Sequence, residues 1–102
     1  MYPSAEYTGP VIRSVVIAEP AQKQLRKVPW HVAEKLADWT LAVEAYGLEQ
    51  VRKVPGYHDE PLKGKRAGQR SIRLSRAYRA IYAIVRDAIE FVSVEEVHKH
   101  DY

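Results

Sequence analysis

Between Arg52 and Arg86 ten Lys or Arg residues stand against two carboxylates, Asp59 and Glu60. The formal charge of the whole chain is only +3, so a basic centre is set in an acidic remainder. Cations clustered in this way are suited to holding phosphates. Arg79 is the most pointed of them, because strand alternation places it at the start of a row with Ile81, Ala83 and Val85. An arginine at the edge of an apolar row needs an anionic partner, either a protein carboxylate or a ligand phosphate. Arg73 shares a face with Ser71 and Ser75, while Arg70 falls with Ile72 and Leu74 on the other. Lys63, Lys65 and Arg66 lie among glycines without the Gly-Lys-Ser/Thr ending of a nucleotide-hydrolase loop. They suit contact with a phosphate backbone, which brings affinity and salt dependence and no base choice. Arg66, Arg76 and Arg86 also fit solvated loop charges.

A second group closes the chain, His98-Lys-His-Asp-Tyr102. Histidine moves protons near neutral pH, and a tyrosine stacks on an exposed base. The same five residues also read as a frayed polar end, and less well as a metal site, because no distant ligand accompanies them.

These residues need a frame. Residues 1–10 hold two Pro and one Gly without periodicity and read as a loose arm ahead of a single domain, 11–102. Residues 11–17 are β-branched and strand-like. Ala18 to Lys27 reads as a short helix with Pro20 in its first turn. From Trp30 to Tyr46, apolar residues recur at Val32, Leu36, Trp39, Val43 and Tyr46, the spacing of a helix with one buried face. Gly47 ends it, and a short turn through Leu48–Val51 is expected. A long connection, 52–68, leads to strands at Arg70–Ser75, Tyr78–Arg86 and Ile89–Val94, close enough in sequence for antiparallel hairpins. The expected fold is α+β: an N-terminal strand and a two-helix hairpin packed on a twisted antiparallel sheet.

Composition narrows the setting. At 102 residues and 46% hydrophobic, the chain supports one compact core. It has no Cys, which excludes disulfides and Cys-based zinc sites and suits the cytoplasm. No apolar run is long enough for a bilayer, so no membrane association is expected. The first residues lack the basic start and apolar core of a signal peptide.

The blocks Glu60-Pro-Leu-Lys-Gly, Gly68-x-x-Ser-Ile-Arg73 and Tyr78-Arg79-x-Ile-Tyr82, with a strand ending near a histidine, resemble the RelE/ParE superfamily of toxins from type II toxin–antitoxin pairs. Their spacing is similar to the YoeB and HigB branches. The resemblance covers about half the chain by motif and the N-terminal half by architecture alone. It implies a RelE-like (microbial-ribonuclease-like) fold and a ribosome-dependent endoribonuclease that cuts messenger RNA without metal or cofactor. It further implies two partners, a cognate antitoxin and the ribosome with bound message. Residue by residue, it implies Glu60 as base, Arg79 on the scissile phosphate, Arg73 as a second cation and His98 as acid. Members of the YoeB branch end in His-Tyr. Here Lys99 intervenes, so the acid is His98 or His100, with Tyr102 as the tyrosine. Lys63, Lys65, Arg66, Arg70, Arg76 and Lys99 are the expected RNA contacts. The alternatives are a ParE-like gyrase inhibitor and a non-catalytic RNA- or antitoxin-binding module.

Overall fold

A computed structural model describes residues 11–97; the expected arm, 1–10, and the tail from His98 to Tyr102 lie outside the described residues. The chain runs β1 (Ser14–Ile17), α1 (Glu19–Leu25), α2 (Trp30–Tyr46), α3 (Leu48–Val51), β2 (Glu60–Pro61), β3 (Gln69–Arg73), β4 (Tyr78–Val85) and β5 (Ala88–Glu96). Two 3₁₀ turns, Pro55–Tyr57 and Gly64–Arg66, punctuate the connection from α3 to β3. The strands form one sheet in the order β1-β5-β4-β3-β2. Neighbours pair antiparallel except β1, which lies parallel to β5. The sheet is therefore mixed, and the N-terminal strand is part of it.

The periodic face of α2 closes one side of the sheet. Val32, Leu36, Trp39 and Val43 are buried there against Ile72, Ala80, Tyr82, Ile89 and Phe91. Three rings form the centre. Trp39 lies 5.4 Å from Tyr82 and 5.2 Å from Phe91, and Tyr82 lies 5.6 Å from Phe91. Such tilted and edge-on pairs add about 1 kcal/mol each beyond the area they bury. Gly47 ends α2 with φ +86, and a Cβ there would stand 2.7 Å from Val11 Cγ1. The glycine thus permits the turn and the close passage of the N-terminal segment, which Leu48 N–H fixes by donating to Ile12 O at 2.9 Å.

The helices pack on one side of the sheet only; Arg73 and Arg79 stand on the other, where Ile81 is nonetheless fully buried and Ser71 is 5% exposed. Of the row expected to be apolar, Arg79 with Ile81, Ala83 and Val85, only Ile81 is fully buried, and the core against the helices is not built from this row. The core takes Ala80 and Tyr82 instead. A bulge in β5 matters as much. Ile81 pairs with Ser93 but Tyr82 pairs with Phe91, so Val92 is an extra residue. Phe91 and Val94 both reach the core as a result, and Ser93 and Glu95 turn to the open face. Gln24 of α1 accepts the Val94 N–H at 2.7 Å and holds the bulge.

Candidate active site

Register builds the open face in two rows. Glu60, Ser71, Ile81 and Ser93 stand opposite one another in turn, and Arg73, Arg79 and Glu95 form the next row. Directly opposed side chains on one face are neighbours, and two cations so placed repel. Glu95 relieves part of this. It accepts from Arg79 Nη2 at 3.2 Å and, through both its oxygens, from Arg66 at 2.6 and 3.0 Å. Ser93 Oγ donates to it at 3.0 Å. The bond from Arg66, working against partial burial and helped by Ser93 and Arg79, holds the Glu95 carboxyl below the usual glutamate range. Arg73 is exposed and has no carboxylate within ion-pair reach among the described residues. Arg66 and Arg79 therefore share the Glu95 carboxylate, and Arg73 is the next cation in the row.

Beside them lies a cleft of about 280 Å³, whose lining includes Glu60, Ser71, Arg73, Arg76 and Arg79. His58 and Val97 line it as well. Glu60 and the two strand arginines, separated by up to nineteen residues in sequence, thus face one polar space. A carboxylate beside paired guanidiniums can take a proton from a hydroxyl while the cations hold an adjacent anion.

The long connection is pinned to the sheet and helices at three points. Lys35 Nζ of α2 lies 4.9 Å over the Tyr57 ring. Asp59 accepts from Arg70 Nε at 2.6 Å and from the Tyr82 hydroxyl. Arg66 reaches across β3 and β4 to Glu95 on β5.

The sequence-expected residues divide accordingly. Glu60, Arg73, Arg76 and Arg79 come together. Lys63 and Lys65 are exposed on the neighbouring turn. Arg66 differs from both expectations, a free loop charge and a free phosphate contact: both its terminal nitrogens bind Glu95, although its side chain remains 43% exposed. Arg70 is a correction: its side chain lies on the helix-covered side of the sheet, bonded to Asp59, away from the cleft. His98, Lys99, His100 and Tyr102 lie outside the described residues. Glu95, Asp59 and the Tyr82 hydroxyl are the polar groups that sequence reasoning missed. For Glu95 a signal existed, because apolar spacing in β5 changes from two (Ile89, Phe91) to three (Phe91, Val94), as a bulge requires.

No protein-family model matches the sequence, and no curated protein matches it. Solved structures do. A chain of the RelBE2 toxin–antitoxin complex from Mycobacterium tuberculosis superposes with TM-score 0.62 at 19% identity, over 85% of this chain and 100% of that one. A YoeB/ParE toxin from Agrobacterium tumefaciens gives 0.61 at 18% identity, over 83% and 99%. YafQ from Escherichia coli gives 0.63 at 18% identity, over 82% and 92%. The chain has the fold of these toxins.

Proposed function

We propose that this protein is the toxin of a type II toxin–antitoxin pair and an endoribonuclease that cuts messenger RNA on the ribosome. The observation that carries the reading is the cleft in which Glu60 faces Arg73 and Arg79 on the open side of a toxin-like sheet.

In this reading Glu60 removes the proton from a ribose 2′-hydroxyl. The O2′ attacks the adjacent phosphorus and the bond from phosphorus to O5′ breaks. Arg79 and Arg73 stabilise the charge that gathers on the non-bridging oxygens. A histidine of the tail, His98 or His100, protonates the leaving O5′, and Tyr102 stacks on a base beside it. The products are a 2′,3′-cyclic phosphate and a free 5′-hydroxyl, and DNA is inert because it lacks the nucleophile. Lys63, Lys65 and Arg76 follow the backbone of the message. The cleft is open and small, so the ribosome supplies much of the positioning and free RNA is a poor substrate. The partner antitoxin covers this cationic face with an acidic segment.

The test is translation of a defined message with wild-type protein and Arg79→Ala, with cuts mapped by primer extension. The expected loss is about 10²–10³-fold in cutting rate, the effect of removing one preorganised donor. Unchanged cutting by the variant overturns the role of Arg79. A wild type that spares the message but inhibits gyrase supercoiling overturns the nuclease reading.

A further inference from the structure

Glu60 sits in a poor place to be held. Its strand, β2, is two residues long and exposed. Pro61 contributes no N–H to the ladder. His58, just before it, is in the left-handed region at φ 48, where the chain turns into the strand. Extended chain alternates its side chains, so a slip of one residue would swing Glu60 from the cleft to the helix-covered side.

The residue between them is the one firmly held. The Asp59 side chain is only 1% exposed. One oxygen accepts from Arg70 Nε at 2.6 Å, and the other from the Tyr82 hydroxyl. Arg70 and Tyr82 stand directly opposite each other on β3 and β4, and the Tyr82 ring is anchored against Trp39 and Phe91. A buried carboxylate is tolerated only with such partners. Burial and the bond to Asp59 raise the Tyr82 pKa, so the phenol remains a donor at neutral pH. Two neighbouring strands thereby grip the residue that leads into a third.

We propose that Asp59, Arg70 and Tyr82 form a clamp whose work is to fix β2 and face Glu60 into the cleft. Asp59 is then a positioning residue for the base. The catalytic part of this inference rests on the function proposed above; the clamp itself does not. Arg70 acts here as a structural cation, which explains why a residue of the basic segment turns away from the cleft.

The test is a double-mutant cycle of Asp59→Asn and Glu60→Gln on ribosome-bound message, with hydrogen exchange at the Leu62 amide, which donates to Gln69 O at 2.9 Å. Tyr82→Phe is the milder variant should Asp59→Asn fold poorly, since it keeps the ring in the core. Each single change is expected to slow cutting by about 10²-fold, the scale of a misplacement of about 1 Å, with ribosome affinity within about twofold. The double variant is expected near the singles and far from their product, because Asp59 acts through Glu60. Leu62 exchange is expected to rise about tenfold in either clamp variant. Multiplying effects in a folded double variant overturn the positioning role. Unchanged Leu62 exchange overturns the clamp, whatever the activity. A wild type that cuts no message, with exchange still raised in the clamp variants, overturns the nuclease reading and supports the clamp.

Discussion

The two carboxylate–arginine clusters of this small sheet are built from the same parts and do opposite things. Asp59 has one arginine and one hydroxyl, and its own oxygens are both occupied away from water. Glu95 has two arginines and one hydroxyl, is 23% exposed, and stands beside a third cation, Arg73. The first cluster is balanced, so it has nothing left to bind and can serve only structure. The second carries cationic charge in excess, and its cations face a cleft. Whether a buried pair holds a fold or a ligand is decided by that balance and by solvent access.

The largest expected contrast is in stability. Asp59→Ala strands the Arg70 guanidinium and the Tyr82 hydroxyl, and is expected to lower unfolding free energy by about 3 kcal/mol. Glu95→Ala removes a carboxylate from half-exposed guanidiniums that water can reach, and is expected to cost under about 1 kcal/mol. Urea unfolding monitored through the tryptophans measures both. Equal losses would erase the distinction between the clusters.

This contrast was only partly legible in the sequence. The helix over Trp30–Tyr46 was, because the spacing of Val32, Leu36, Trp39 and Val43 is a local property that tertiary packing then uses. The meander was legible within one or two residues for the same reason. The pairing of β1 with β5 was not, since strand partners are chosen across the whole chain. Glu60, Arg73 and Arg79 share a face because register and alternation agree. Glu95 escaped because one extra residue at Val92 reverses every facing after it. Arg66 escaped because nothing local records a reach across two strands. Arg70 is instructive in another way. Alternation already set it with Ile72 and Leu74, and charge alone suggested phosphate contact; facing outweighs charge.

The second contrast is in binding. Glu95→Gln keeps the shape of the cluster and removes its one negative charge. Arg66 and Arg79 then become available to phosphate. Affinity for a short single-stranded RNA is expected to rise about fivefold at low salt, and the salt slope to steepen by about one unit for up to two more phosphates neutralised. Asp59→Asn is expected to change neither, because Arg70 faces away. Fluorescence anisotropy across a salt series reads both, and a Glu95→Gln variant that binds more weakly would mean that Glu95 orients the arginines more than it competes for them. The same carboxylate has a pH signature. Its folded pKa is depressed, so its contribution to stability is complete above the ordinary glutamate range and is lost as pH falls through the lowered folded value. The stability difference between wild type and Glu95→Gln should therefore shrink on acidification below that range, and a difference that is flat with pH would deny the ion pairs a role.

The smallest contrast compares the two hydroxyls. Tyr82 donates to a carboxylate from which water is excluded, and Ser93 donates at 3.0 Å to one that water shares. A hydrogen bond to a charge is worth more where no solvent replaces it. Tyr82→Phe is expected to cost about 1.5 kcal/mol. Ser93→Ala is expected to cost less than about 0.5 kcal/mol, because water takes the vacated lone pair of Glu95. The two variants remove one oxygen each and leave both carboxylates and all the arginines in place. Their difference therefore isolates solvent access from charge balance, the two properties that separate the clamp from the cleft. A Ser93→Ala cost as large as that of Tyr82→Phe would show that Glu95 is shielded as fully as Asp59, and would leave the excess of arginines as the sole reason that one cluster faces a ligand.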